Sequence, residues 1–456
     1  MHRPKGRRRL AVVRDRLGVV RAAQLVPVVA FAFACTRTPT RALGPIGARV
    51  ENDTASLLSA ARIAALPPAD GKRWRAYVER SNRLRRADQD SMARELKRVE
   101  RDRMTPAPDT RRSFSIADGV QAAARLDDDS LRAFVATVLS FQTPSGGWSK
   151  HVDYAKGPRR TGESYFSETD RWQYIPTIDN DATIAQLRLI AGAYARLHDE
   201  RWRDAFRRGV DYLFAAQMPN GCWAQVFPLQ GGYHDAVTFN DDAIVNVLRF
   251  LQSADDTALW GRERSTMASA RVADGIGCIL RSQARVHGRL TVWAQQHDPL
   301  NLAPASARSY ELPGLSGRES ASIMRLLMDV ETPRDSLVAA VHAAADWFRA
   351  HEIRGYDYVP LKGLVANPKA QPLWARLTDL ETDRPIFANR DGVKLYDYER
   401  LTDRRTGYGW YSREPAAALV HYEQWSRRHP LSSGIHQGWT RPARFWAPVW
   451  PRSATR

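Results

Sequence analysis

A short pattern recurs along this chain and limits what it can fold into. Gln142-Thr143-Pro144-Ser145-Gly146-Gly147-Trp148 returns as Gln217-Met218-Pro219-Asn220-Gly221-Cys222-Trp223, and a fainter copy runs from Gln283 through Trp293. An acidic stretch follows each turn. Thr177-Ile178-Asp179-Asn180-Asp181-Ala182 is matched by Thr238-Phe239-Asn240-Asp241-Asp242-Ala243, and more loosely by Ser316-Gly317-Arg318-Glu319-Ser320-Ala321. Each copy reads as helix, Gln, Gly-rich turn with Trp, loop, acid, helix.

Around these motifs apolar residues fall three and four apart. Leu131, Val135, Val138 and Leu139 share one face; so do Leu187, Ile190, Ala191, Tyr194 and Leu197, then Phe206, Val210, Leu213 and Phe214. Later sets are Ile244, Val247, Leu248 and Leu251, then Ile323, Leu326, Leu327 and Val330, then Leu337, Val341, Ala344, Trp347 and Phe348. These are the spacings of amphipathic helices, and no alternating run supports a major sheet. One hairpin of this size cannot bury its apolar face alone, so the copies must stack or close on each other. The expected fold is all-α, an (α/α)3 toroid with long loops forming a groove. The acid-bearing helix starts then lie at one end, where sites on a rigid scaffold are usually built.

Charge needs dividing before it is interpreted. The chain of 456 residues has a formal charge of +18. Eleven Lys/Arg against Asp15 in residues 1–50 supply +10 of it, leaving +8 for the body. Such a body attracts polyanions, and nucleic acid and acidic polysaccharide both qualify. Because most of the charge belongs to the leader, nucleic-acid binding is not expected.

Residues 1–35 read as an export signal: a basic segment, then the apolar run Leu25 to Ala34, too short to span a bilayer. Ala32-Phe33-Ala34-Cys35 loosely resembles a lipoprotein processing box, which leaves a lipid anchor at Cys35 and simple cleavage as alternatives. The chain is expected to be exported across the inner membrane, to a periplasmic, extracellular or surface location. Residues 36–112 read as a linker followed by a charged, exposed helix over Trp74–Met104. Residues 113–430 form the expected catalytic toroid, and 431–456 a tail. Three cysteines exclude a disulfide framework; Cys222 and Cys278 are expected as two separate buried thiols, with a single disulfide as the alternative.

Asp179, Asn180, Asp181, Asn240, Asp241 and Asp242 are two clusters of hard oxygen donors without nearby His or Cys, a set suited to Ca²⁺. Asp and Asn before an apolar helix are also ordinary N-caps. The near-identical clusters, each beside a long aromatic loop, balance the two readings. Trp148 and Trp223 are expected to pack rather than to stack on sugars. Arg308 lies in the loop Pro304 to Glu311, and Arg376, Arg384, Arg390, Arg404 and Arg405 crowd a segment rich in Gly, Pro and aromatics. Their planar forks suit carboxylates.

At these residues the chain resembles the polysaccharide lyase family 10 pectate lyases, over roughly Gln142 to Tyr411, with Trp74 to Glu95 similar to their upstream helix. The motifs are Pro176 to Thr183, Gln217 to Gln225, Phe239 to Leu248, Gln296-His297-Asp298-Pro299, Ala307 to Pro313, and Trp374-Ala375-Arg376 through Asp391-Gly392. The resemblance implies the (α/α)3 toroid and calcium-assisted β-elimination of polygalacturonate. It implies that Asp179 and Asp241, with Asp242 in the same cluster, hold Ca²⁺, that Asn180 lies close to the same sugar, and that Arg308 is the base. Arg376, Arg390 and Arg384 are the arginines expected to meet substrate carboxylates. Cys222 stands where a second Gly is usual and Phe239 where Tyr is common. A monomer is expected. A glycoside hydrolase using Asp179 and Asp241 as acid and base is the alternative, as is a pectin-binding surface protein without activity.

Overall fold

The computed structural model describes residues 57–110, 112–166 and 175–431. The expected signal, Cys35 and nearly all of the expected tail lie outside them. The described residues form one compact unit. Its helices in chain order are α1 (Ala60–Ala64), α2 (Pro68–Arg98), α3 (Ile116–Arg125), α4 (Asp128–Ser140), α5 (Ile184–Leu197) and α6 (Glu200–Ala216). They continue as α7 (Ala243–Leu251), α8 (Thr257–Trp260), α9 (Arg262–Ser282), α10 (Gly317–Met328), α11 (Asp335–Ala350) and α12 (Glu414–Arg428). The strands are two to four residues long and belong to loops, the longest pair being Tyr356–Val359 against Gly363–Ala366. Among the described residues the chain is therefore helical with minor sheet. None of these helices is long and apolar enough to cross a membrane.

One row of helices runs α3, α5, α7, α10 and α12, each packed on the next. The alternate helices α4, α6, α9 and α11 flank that row. The predicted apolar faces line the shared core; Leu187, Ile190, Phe206, Val210, Leu213, Val247, Leu248, Ile323, Leu326 and Phe348 are all fully buried.

The recurring Gln explains how the flanking helices are joined. Gln142 Nε2 donates to Gly146 O at 2.8 Å in its own turn and to Ala205 O of α6 at 2.9 Å. Gln217 repeats this with Gly221 O and Arg271 O of α9, and Gln283 with Thr291 O and Ala340 O of α11. Each amide thus closes a turn and satisfies a carbonyl of the next flanking helix, which matters because a buried polar group left unpaired costs about 1–3 kcal/mol. The tryptophans look backwards. Trp148, Trp223 and Trp293 donate their indole N–H to Val138 O, Leu213 O and Ile279 O of the helix just left. All three are fully buried, so packing is their role. Trp374 makes the same bond to Phe348 O of α11, a fourth instance that the sequence pattern does not reveal.

Close helix contact around these plugs depends on missing side chains. A Cβ on Gly209 would lie 2.7 Å from Leu187 and 3.0 Å from Trp148, and one on Gly275 2.5 Å from Leu248 and 3.2 Å from Trp223.

Two expectations are corrected. The charged segment forms α2, but Trp74, Tyr77, Met92 and Leu96 are buried, so it is an amphipathic helix on the core and not an exposed one. Tyr77 donates its hydroxyl to Ala216 O, Arg80 its Nε to Ala215 O, and Glu95 pairs bidentately with Arg159. Cys222 and Cys278 are not separate thiols; they form a disulfide with Cα atoms 5.6 Å apart, tying the second turn to α9. Long-range pairing of this kind is invisible to local pattern.

The disulfide bridges a separation of 56 residues, for which chain entropy predicts a stabilisation of about 4 kcal/mol. Replacing both cysteines by alanine is expected to lower the urea midpoint as much as reductant lowers that of the parent protein. Equal midpoints in variant and oxidised parent would show that the cross-link adds nothing.

Candidate active site

The acidic stretches do not cap the helices they precede. Asp179–Asp181 and Asn240–Asp242 each form a single 3-10 turn, and neither α5 nor α7 has a side-chain N-cap bond. Asn180, Asp181, Asp241 and Asp242 all have positive φ, between 50° and 67°. Asn and Asp tolerate this left-handed region better than other non-glycine residues, which is why these residue types recur here. Thr183, β-branched and also at positive φ, is held by bonds from its hydroxyl to Trp148 O and Thr177 O. The backbone therefore swings the acids off the helix axis.

Within each triplet the residues diverge. Asp181 accepts from Ile116 N at the start of α3 and from Asn246 Nδ2, so it braces neighbouring helices. Asp179 and Asp241 are brought together through Asn180, whose Oδ1 lies 3.4 Å from Lys150 Nζ and whose Nδ2 lies 3.4 Å from Asp241 Oδ2. Lys150 also donates to Asp179 Oδ2 at 2.7 Å, while Asp179 Oδ1 is buried without a hydrogen-bond partner. Asp241 accepts from Asn240 at 2.8 Å and from Arg318 at 3.1 Å. Burial, reinforced by the charges of Asp179 and Glu319, pushes the Asp241 carboxyl up from its ordinary range. Burial does the same to Asp242, whose Oδ1 is also unpartnered.

Behind Asp241 lies a fully buried carboxylate, Glu319. It accepts from Arg376 at 2.7 Å, Arg318 at 3.3 Å and the Ser316 hydroxyl. Burial works against its charge, but Arg376 and Arg318 outweigh that and hold it below the usual glutamate range. Arg376 is itself buried, bonded to Asn240 Oδ1 at 3.1 Å and stacked over Tyr408. The Gln295 amide, oriented to satisfy both neighbours, accepts from Arg376 Nε at 2.9 Å and donates to the Tyr408 hydroxyl at 3.0 Å.

Arg308 is reached from the other side. Glu311 grips it bidentately, Nε to Oε2 at 2.8 Å and Nη2 to Oε1 at 2.6 Å. Burial pulls the guanidinium pKa down, but the hydrogen bonds and charge of Glu311 dominate and raise it. Tyr233 lies within electrostatic reach of Arg308, Glu311, Lys150 and Asp179. Tyr310 carries Arg404 over its ring at 4.0 Å and packs edge-on against Tyr408.

The predicted arginines separate. Arg376 is turned to internal partners. Arg390 is exposed and ion-paired with Asp403 at 3.6 Å, and its carbonyl accepts from Ser309, beside Arg308. Arg384 lies over Tyr396, and its carbonyl accepts from Asp379 N at 2.8 Å. Lys150, Arg318, Tyr233 and Glu311 were not singled out by sequence reasoning. Arg318 lies inside the third repeat, where it replaces the Asn or Asp of the first two; Lys150 follows the first Trp turn by two residues. Those positions were the available signals.

The donors fit a hard cation in kind: an amide oxygen and two carboxylates, one of which, Asp179, has a buried oxygen without a hydrogen-bond partner. Among the described residues no three acidic or metal-ligating side chains converge, so the protein alone supplies only part of a shell.

Glu319 should be the electrostatic keystone. Glu319→Ala leaves Arg376 buried without its anion and is expected to cost about 3–5 kcal/mol. Glu414→Ala removes a half-exposed partner 3.6 Å from Arg318 and is expected to cost under about 1 kcal/mol. Urea unfolding of both variants checks the contrast.

Comparison with known proteins bears on this geometry. A family model described as pectic acid lyase matches residues 142–419. A family 10 polysaccharide lyase from Cellvibrio cellulosa superposes with a TM-score of 0.60 at 31% identity, covering 70% of this chain and 97% of that one. An aspartate-to-alanine mutant of the family 10 lyase from the same organism, in complex with trigalacturonic acid, gives a TM-score of 0.59 at 30% identity, with coverages of 70% and 98%. No curated protein sequence matches. With the match spanning every residue gathered around Asp179, Asp241 and Arg308, this chain belongs to the pectic acid lyase family and is a polysaccharide lyase of the family 10 type.

Proposed function

We propose that the protein is an exported pectate lyase that cleaves α-1,4-polygalacturonate by β-elimination on an (α/α)3 toroid, assisted by calcium. The observation that carries this reading is the meeting of Asp179 and Asp241 across Asn180, from two repeats of one motif, within a lyase family. The neighbour solved with trigalacturonic acid supports the substrate class, and the alternating rows of helices joined by repeated Gln bonds support the toroid.

Asp179 and Asp241 would hold calcium, with Asp242 beside them. Ca²⁺ takes six to eight oxygens, so substrate carboxylate and water must complete the shell. When bound, the ion supplies Lewis-acid polarisation of the uronate carboxylate. Asn180 then lies against the same sugar, and Arg390 beside Ser309 meets a neighbouring carboxylate. Arg308 takes the proton from C5; its electron pair forms the C4–C5 double bond, and the glycosidic oxygen leaves from C4 and takes a proton from solvent. Arg376, through Glu319 and Asn240, acts here as a support for Asp241.

An arginine base works only as the neutral guanidine, which is rare at any pH below about 12, and Glu311 makes it rarer by raising the guanidinium pKa. The neutral fraction grows with pH, so activity should climb through the alkaline range. Ultraviolet assay of unsaturated product on polygalacturonate is expected to show this rise and to fall silent with chelator. Arg308→Ala should lose activity by at least 10³-fold, of the order general-base removal costs, and Glu311→Gln should move the rise to lower pH. Full activity in Arg308→Ala, or an optimum near pH 5, would rule Arg308 out. New reducing ends without ultraviolet absorbance would mean a hydrolase.

A further inference from the structure

A cavity of about 1130 Å³ opens between α2, the C-terminal end of α6, α9 and the loop at 300–302. It shares no lining residue with the site at Asp179, Asp241 and Arg308. Its α2 wall lies upstream of residue 142, outside the span of the family model.

Four arginines line it, Arg73 and Arg80 from α2 and Arg271 and Arg281 from α9. The acids in its wall are partly used: Asp70 pairs with Arg73 at 2.5 Å and Asp211 with Arg264 at 2.7 Å, leaving Asp274. Among the described residues, no carboxylate comes within ion-pair distance of Arg80, Arg271 or Arg281. Arg80 donates its Nε to Ala215 O and lies over the Tyr77 ring, and Arg281 donates its Nη2 to Asn220 O. Arg80 is half-buried, and burial together with the charges of Arg271 and Arg83 pulls its pKa down. Arg80 and Arg271 thus line one recess, and among the described residues neither is ion-paired. Met218, Pro219 and Leu300 are among the other residues that line it.

We propose that this recess is a second binding site for an acidic oligosaccharide, its uronate carboxylates bridging Arg80 and Arg271 and one sugar face lying on Met218 and Pro219. Naming galacturonate rests on the functional reading above. Guanidinium forks match carboxylates bidentately. The volume exceeds the roughly 300–1,000 Å³ of small-molecule pockets, so it suits several linked sugars. A polymer tethered here is presented to the catalytic groove at raised effective concentration, which strengthens binding without a new catalytic contact.

Calorimetry with trigalacturonate on the full chain carrying Arg308→Ala is expected to give two sites per chain, falling to one when Arg80→Gln and Arg271→Gln are added. In an otherwise native chain that double substitution should leave turnover of trigalacturonate within about twofold. It should weaken retention in a polygalacturonate gel at least fivefold, while Arg80→Lys/Arg271→Lys restores part of it. If the double variant does not fold, Arg281→Glu at the exposed rim gives the same gel readout. One site per chain, unchanged gel retention, or equal displacement by poly-glutamate would overturn the proposal while leaving the lyase reading intact. Two sites in a protein that yields no unsaturated product would instead overturn the lyase reading and keep this one.

Discussion

The bond on which the rest depends is a glutamine amide. Gln142, Gln217 and Gln283 each give one proton to a carbonyl of their own turn and the other to a carbonyl of the next flanking helix. That places every turn at a set distance from the following helix. The indole behind it bonds the helix just left, and so the chain leaves and re-enters the row at repeated angles. The acids inherit their positions from this arrangement. Asp179 and Asp241 meet because two copies of one loop are held in register by the same pair of bonds.

Charge in the site is nested. Glu319 sits deepest, between Arg376 and Arg318, and Arg318 reaches forward to Asp241. Lys150 answers Asp179 in the same way. Asp179 and Asp241 thus each carry a cation against them, while the charges of Asp179 and Glu319 beside Asp241 favour further positive charge. On the opposite side Glu311 holds Arg308 charged. Under the proposed mechanism, the group suggested as base is fixed in place by the carboxylate that most opposes its loss of a proton, so that mechanism calls for alkaline operation.

Much of this was legible beforehand. The periodicity located the amphipathic helices, and the repeat located three of the four Trp turns; Trp374 escaped because no Gln-Gly run precedes it. The paired acids were legible as oxygen donors, but capping could not be dismissed until the backbone was seen to turn through positive φ at Asn180 and Asp241. Arg376 and Arg390 look alike in sequence, yet one is buried against Glu319 and the other exposed beside Asp403.

The sequence by itself determined the helical class, the repeat, and which residue types could supply oxygen ligands and carboxylate-binding forks, because these depend on neighbours within one or two turns. Only the tertiary structure decided that Cys222 and Cys278 pair, that α2 lies on the core, and that Lys150, Arg318 and Tyr233 join the acids. Those contacts link residues tens of positions apart, and local preference carries no term for them. The proposal of calcium assistance draws on both: the motif names the oxygen donors, and the folded chain brings Asn180 within a few ångströms of Asp241.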